Sequence, residues 1–328
     1  MGGKPRFHDK MGATQPMAEL ELANCWNIFS RHTSVVDPDE PIRTTLTMVA
    51  HKGFRHLPVI KRDKSREVLG MVSAQDLINL FSQIAVQSPY SVQIEKILNS
   101  GVSTIMSDRP LTIARNQTIL DTIALMSKGN VGALPIVTEE QAESRVSSLR
   151  IAELLGIITL RDLISMMATF APFGILIKNY MTNEVAVVKE DDPVDLAIHL
   201  MSRKGIRRLP VMDSRNDRIK GMLTNKMILR LIESCLAFKG TAAGIDFALK
   251  QPVRSITMSP MPVIDPNEDC GTAAYLIREI GTGGFAVADS RGLLGIITER
   301  DLVRRVYKRE GISFFSKLFL SNRQTMYA

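Results

Sequence analysis

Apolar and polar positions repeat in one order four times along this 328-residue chain. The pairs Val35-Val36, Thr112-Ile113, Val187-Val188 and Val263-Ile264 each open a copy, at a period of about 76 residues. Behind each pair runs an amphipathic helix pattern. Leu46, Ile123, Ile198 and Ala274 are equivalent, and Val49, Met126, Met201 and Ile277 follow three positions later, so that one helix face is apolar. Gly53, Asn130, Gly205 and Gly281 close these helices, as the residue types that most readily take the left-handed conformation. Next come a short apolar strand holding Pro58, Pro135, Pro210 or Ala286, a polar turn, and a second strand that opens with Gly70, Gly156, Gly221 or Gly295. The unit reads strand, helix, strand, strand, helix. Such a unit cannot bury its own face alone, so four copies imply stacking.

Each second strand ends in a polar signature: Ser73-Ala74-Gln75-Asp76, Thr159-Leu160-Arg161-Asp162, Thr224-Asn225-Lys226-Met227 and Thr298-Glu299-Arg300-Asp301. A hydroxyl followed three residues later by an acid is a helix capping box. The same place also offers free backbone amides to a phosphate, a carboxylate to ribose hydroxyls, and a neighbouring cation in Arg161, Lys226 or Arg300.

Four co-registered units with these signatures after a Leu-Pro-Val type strand resemble CBS domains. Two such domains form a Bateman module, and four in one chain are similar to the gamma regulatory subunit of AMP-activated protein kinase and its archaeal relatives. The resemblance covers roughly residues 27 to 312. It implies an α/β (α+β) fold of four βαββα repeats, paired into two Bateman modules that form a flat pseudo-fourfold disc. It also implies a cytoplasmic regulatory protein without catalysis, which binds AMP, ADP or ATP, or less readily S-adenosylmethionine, and passes its occupancy to a regulated protein. The expected divisions are a disordered segment at 1–18, repeats at 19–95, 96–172, 173–250 and 251–312, and an aromatic tail at 313–328.

Carried over residue by residue, the resemblance places nucleotide contacts on the signatures and on the residues before each Leu-Pro. Arg55-His56 and Arg207-Arg208 hold that place in the odd repeats, and Gly132-Ala133 and Gly283-Gly284 in the even ones. The fuller signatures fall in the even repeats, so pairing 1 with 2 and 3 with 4 assembles two sites. The first is Thr159, Arg161 and Asp162 with Arg55 and His56; the second is Thr298, Arg300 and Asp301 with Arg207 and Arg208. Weaker sites are expected at Ser73 and Asp76, and at Thr224 and Lys226, where Met227 cannot accept a ribose hydroxyl. The repeat-3 site is expected to be empty.

Composition narrows the rest. The chain is 45% apolar and 23% charged, ordinary for a globular protein. Its longest apolar stretch, Met166 to Ile177, is interrupted by Pro172 and Gly174 and too short to span a bilayer. Three widely separated cysteines, Cys25, Cys235 and Cys270, suit a reducing compartment, and the histidines show no metal-ligand spacing. A net charge of +7 admits nucleic acid as an alternative partner. With only 5% aromatic residues, and Tyr307 alone lying among Arg304, Arg305, Lys308 and Arg309, those cations read as a solvated helix face. The Phe314-Phe315-Phe319 cluster reads as packing back on the last repeat. Association of two discs as a homo-oligomer is compatible with the sequence. About ten extra residues between Thr138 and Glu153 read as a solvated hairpin tip.

Overall fold

A computed structural model describes residues 28–30, 33–61, 66–86, 92–138, 153–216, 218–256 and 261–321. The expected disorder at 1–18, the extra hairpin residues 139–152, and Cys25 lie outside the described residues.

The four units are built alike. Repeat 1 runs through α1 (Ile42–Lys52), β1 (His56–Ile60), β2 (Val68–Ser73) and α2 (Ala74–Val86), and α3 (Val92–Asn99) leads on to β3 (Ser107–Asp108). Repeat 2 has β4 (Ile113–Ala114), α4 (Ile119–Gly129), β5 (Ala133–Val137), β6 (Leu154–Thr159) and α5 (Leu160–Met167). Repeat 3 has β7 (Val188–Lys189), α6 (Val194–Lys204), β8 (Arg208–Met212), β9 (Ile219–Thr224) and α7 (Asn225–Lys239), with α8 (Thr241–Lys250) after it. Repeat 4 has β10 (Val263–Ile264), α9 (Cys270–Ile280), β11 (Gly284–Asp289) and β12 (Gly292–Thr298). It ends in a π-helical stretch at Asp301–Arg305 that continues into α10 (Val306–Glu310), followed by α11 (Ile312–Ser321).

Local chemistry explains the boundaries. Gly53, Asn130, Gly205 and Gly281 have φ of 80°, 56°, 61° and 71°, all in the left-handed region that stops a helix and turns the chain into the next strand. The opening strand of repeats 2, 3 and 4 pairs in parallel with the strand after the helix, and that strand pairs antiparallel with the next. In repeat 1 the single parallel bridge Val36 to Val59 does the work of the opening strand.

Neighbours are joined in two ways. Sheets join 1 to 2 and 3 to 4: β3, from the start of repeat 2, adds to β2 of repeat 1, and Ser30 bridges Ile157. Thr182, before repeat 3, likewise bridges Ile296 of repeat 4. Small apolar clusters seal these joints, Met71 with Ala133 and Ile157 in one and Met222 with Met261, Ala286 and Ile296 in the other. Helices join 1 to 3 and 2 to 4, and here lie the two large cores. Ile42, Leu46, Leu77 and Phe81 pack with Ile198, Met201, Ile228 and Ile232. Ile119, Ile123, Leu163 and Met167 pack with Ala274, Ile277, Leu302 and Val306. Each such fully buried Leu, Ile, Val, Met or Phe side chain contributes about 1.5–3 kcal/mol of transfer free energy. The two kinds of joint close a ring in the order 1, 2, 4, 3, the pseudo-fourfold arrangement of two modules. At its centre repeat 1 faces repeat 4 and repeat 2 faces repeat 3.

The aromatic tail folds as α11 on repeats 2 and 4. Phe315, Leu318 and Phe319 enter their shared core, and the Phe319 ring lies 5.2 Å from that of Phe170. Among the described residues no helix is long and apolar enough to cross a membrane.

Candidate functional site

The carboxylate half of the capping box forms in three signatures. Asp76 Oδ2 accepts from Ser73 N and Oγ, both at 2.7 Å; Asp162 Oδ2 accepts from Thr159 N and Oγ1 at 2.8 and 2.7 Å; Asp301 Oδ2 accepts from Thr298 N and Oγ1 at 2.9 and 2.6 Å. In repeat 3 Thr224 Oγ1 accepts from Met227 N at 3.4 Å and Met227 returns nothing of the kind, being apolar. One oxygen of each carboxylate is thus committed to positioning its own helix. The other oxygen of Asp301 accepts from Thr182 Oγ1 at 3.1 Å and from Arg305 Nε at 2.9 Å. Burial holds the Asp301 carboxyl above its ordinary value, against the opposing pull of the Thr298 and Thr182 hydrogen bonds and of Arg305.

The residue before each acid position reaches the C-terminus of a helix in the repeat joined to it by helices. Gln75 Nε2 donates to Met201 O at 3.2 Å, and Arg161 Nη2 to Gly281 O at 3.2 Å. Lys226 Nζ lies 3.0 Å from where a Cβ on Gly53 would stand. A cation there is favoured by the negative end of the helix dipole. Repeat 4 departs from this rule. Its helix opens with the π-helical stretch Asp301–Arg305, and it is Arg304 Nε that donates to Ser127 O, at the end of α4, at 3.4 Å. Arg300 reaches instead to repeat 3, with Nη1 3.5 Å from Gly205 O.

At the ring centre Glu299, 4% exposed, receives Arg55 Nη1 at 2.9 Å and Arg161 Nε at 3.2 Å on its two oxygens. Burial alone would raise its carboxyl, but Arg55, Arg208 and Arg161 outweigh that and hold it below the ordinary range. Beside it Arg207 Nη2 donates to His56 Nε2 at 3.2 Å, which requires a neutral imidazole accepting at that nitrogen. The small residues of the even repeats make room for these arginines: a Cβ on Gly132 would stand 3.0 Å from Arg207, and one on Gly283 would collide with Arg208. Burial, then neighbouring cations, brings Arg207 down to about 9; burial brings Arg208 down to about 10, with Glu299 opposing. Both remain charged at neutral pH.

A cavity of about 950 Å³ opens against this centre, between repeats 2, 3 and 4. Thr298, Arg300 and Asp301 form one wall, and Arg207 and Arg208 another. Val185, Ala186, Ile206 and Ile296 give it an apolar side. Lys128 and Lys204, in the last turns of α4 and α6, and Arg304, Arg305 and Lys308 complete its basic lining. Eight lysines and arginines therefore face three acids, Glu184, Glu299 and Asp301. Such a site favours an anion that carries an apolar ring.

The family model for the CBS domain matches the chain four times, over residues 27–83, 102–169, 177–234 and 253–308. The chain belongs to the CBS domain family. Its CBS relatives include the "Uncharacterized 33.4 kDa protein in ribosomal RNA operon" of Thermofilum pendens, 27% identical over 86% of this chain and 90% of that one. Another is protein MJ1225 of Methanocaldococcus jannaschii, 27% identical over 82% of this chain and 93% of that one. The crystal structure of MJ1225, whose description proposes it as an archaeal homolog of g-AMPK, superimposes with a TM-score of 0.75. That superposition covers 86% of this chain and 99% of that one at 22% identity, and it supports the shared four-repeat fold. MJ1404 of the same organism is 25% identical over 85% of this chain, which spans 61% of that protein's length.

Within the CBS ring the structure brings together all five residues of the second expected constellation, Thr298, Arg300, Asp301, Arg207 and Arg208, around the one cavity. The first is divided. Arg55 and Arg161 meet on Glu299, His56 is turned to Arg207, and Thr159 and Asp162 hold each other in a capping box. In the helix after Asp301, Arg305, Lys308 and Arg309 are exposed, in keeping with a solvated face, and Arg304 is half-buried; Arg304, Arg305 and Lys308 also line the cavity, and the Arg309 guanidinium stands 5.3 Å from the Tyr180 ring. Thr182, Glu299, Lys128 and Lys204 were not singled out by sequence. Glu299 stands inside the repeat-4 signature, where the other repeats have Ala74, Leu160 and Asn225, and that contrast marks it. Cys270 is buried, and its thiol is pushed up to about 12 by burial and the nearby acids. Among the described residues no three His, Cys, Asp or Glu side chains are placed to hold a metal ion.

His56 makes the centre acid-sensitive. Burial first, then Arg207, Arg55 and Arg300, hold its imidazole well below 6.5. As pH falls below the ordinary value the unfolded chain takes up the proton before the folded one, so folding stability drops on acidification through this range. His56→Gln is expected to flatten that loss, read as a smaller difference between urea midpoints at pH 7.5 and pH 5.5 than in the native chain.

Proposed function

We propose that this CBS protein is a regulatory module that binds an adenine nucleotide, AMP, ADP or ATP, in the cavity between repeats 3 and 4 and carries out no catalysis of its own. The observation that supports the reading is the meeting of the repeat-4 signature with Arg207 and Arg208 of repeat 3 around one large basic cavity with an apolar side. In this reading Asp301 takes the ribose hydroxyls, exchanging its contacts with Thr182 and Arg305 for them, and Arg207, Arg208 and Arg300 take the phosphate. Val185, Ala186 and Ile296 border the base. S-adenosylmethionine fits less well, because its sulfonium would enter a site with an excess of cations. Occupancy would reach a partner by linkage: a ligand that ties repeat 3 to repeat 4 favours one arrangement of the ring, and a protein preferring that arrangement senses it. Protein kinases are the first class of partner to test, because the description of MJ1225 proposes that protein as an archaeal homolog of g-AMPK.

Calorimetric titration of the full chain with AMP, ADP, ATP and S-adenosylmethionine tests the reading. Saturable binding of one or more of the three nucleotides, with S-adenosylmethionine weaker, is the expected result. Absence of heat from all three at millimolar concentration would remove it. Salt-sensitive binding of RNA or DNA in their place would bring forward the basic surface as a nucleic-acid face.

A further inference from the structure

We infer that the repeat-4 cavity contains a separate outer subsite for the terminal phosphates of a nucleoside polyphosphate, formed by Lys128, Lys204 and Lys308 with Arg304. It rests on the nucleotide reading above and adds the phosphate number that the site selects.

Three observations carry it. First, at about 950 Å³ the cavity lies near the top of the roughly 300–1,000 Å³ that small-molecule sites occupy, so a nucleoside monophosphate held by Asp301 and Arg208 leaves room beyond its phosphate. Second, the charges do not balance. A monophosphate brings about −1.5 to −2 at neutral pH, against eight cations and three acids, one of which, Glu299, is already shared with Arg55 and Arg161 from outside the cavity wall. Each further phosphoryl group reduces the excess. Third, the cations are arranged by depth. Arg207 and Arg208 are partly buried, whereas Lys128, Lys204 and Lys308 are exposed at the mouth, and among the described residues these three lysines form no ion pair.

The lysines come from three different repeats. Lys128 and Lys204 alone would be ordinary last-turn cations on helix dipoles. What distinguishes them is convergence with Lys308, which reaches the same cavity because the π-helical stretch at Asp301–Arg305 alters the turn that follows the repeat-4 signature. Arg304, tied to Ser127 O, spans the floor between α4 and the signature helix and fixes the distance between the inner and outer groups.

The test is calorimetry on the full chain, without divalent cations, using AMP, ATP and inorganic tripolyphosphate. The variants are Lys128→Ala/Lys204→Ala/Lys308→Ala and, to control for net charge, Lys96→Ala/Lys178→Ala/Lys250→Ala. The native chain should bind ATP about tenfold or more tightly than AMP. The mouth variant should lose at least about tenfold for ATP and less than about threefold for AMP, and the control variant should bind both as the native chain does. Equal affinity for AMP and ATP in the native chain, or equal losses in the mouth variant, would overturn the outer subsite while leaving the nucleotide reading intact. If neither nucleotide binds, the nucleotide reading fails on its own. Tripolyphosphate binding that the mouth variant abolishes would then retain the outer subsite as a site for free polyphosphate, and no tripolyphosphate binding would remove it.

Discussion

Asp301→Ala is expected to lower nucleotide affinity by about 100-fold or more in calorimetry, whichever phosphate number the site prefers. Hydrogen bonds to a charged acceptor are worth about 1.5–3 kcal/mol each, and a ribose offers two hydroxyls to the one carboxylate. Every 1.4 kcal/mol is about tenfold. The difficulty is that Asp301 is also a cap, bonded to Thr298 N and Oγ1, so its removal costs about 0.5–2 kcal/mol of stability as well. Asp121 separates the two effects. It makes the same box with Thr118, at 2.9 Å to N and 2.7 Å to Oγ1, on the exposed start of α4 away from the cavity. Asp121→Ala should therefore shift the denaturation midpoint by a similar amount and leave nucleotide affinity unchanged. Loss of affinity in both variants would mean that Asp301 acts only by holding its helix.

This pair of carboxylates also shows how far sequence reasoning reaches. The boxes at Ser73, Thr159 and Thr298 were legible because hydroxyl and acid stand at fixed spacing beside a strand end, and local spacing is all that a cap requires. The helix stops at Gly53, Asn130, Gly205 and Gly281 were legible for the same reason, and all four have the left-handed conformation. Four copies in register then gave the repeat count and the pairing into modules. The order 1, 2, 4, 3 around the ring was not legible, since it depends on which apolar helix faces fit each other, and the faces of α1 and α4 carry much the same residues.

Long-range pairing of charges was the larger loss. Arg161 sits in its signature as if to serve a phosphate, yet it donates to Gly281 O and to Glu299, contacts whose partners lie more than a hundred residues away. Arg55 crosses the ring to the same acid. The π-helical stretch after Arg300 left no mark either, because Asp301-Leu302-Val303-Arg304-Arg305 reads as ordinary helix by propensity. That stretch decides which arginine, 300 or 304, caps α4, and hence which one turns to repeat 3.

Glu299 is where those unforeseen contacts converge, and removing its charge should be among the most damaging single changes in the protein. Its side chain is 5% exposed, and it holds Arg55 and Arg161 by direct ion pairs with Arg208 nearby. Breaking a buried pair by deleting one partner costs about 3–5 kcal/mol, because the remaining charge is left uncompensated. Arg55 and Arg161 are 33% and 40% exposed, so water recovers part of their solvation and the lower end, about 3 kcal/mol, is expected for Glu299→Gln. The amide keeps the size and much of the hydrogen bonding, which isolates the charge. The carboxyl is held below its ordinary 4.5, so the stability it gives is present above that value and is lost as pH falls through the folded-state value. Urea midpoints at pH 7 should therefore fall sharply in Glu299→Gln, and the gap between native and variant should close in acid. Because the variant leaves the cations without their internal acid, an added polyanion should restore part of its stability, and restore more than it adds to the native chain. A midpoint within about 0.5 kcal/mol of native would place Glu299 with ordinary surface pairs and would mean that packing between helices, not charge at the ring centre, holds repeats 1 and 4 in register.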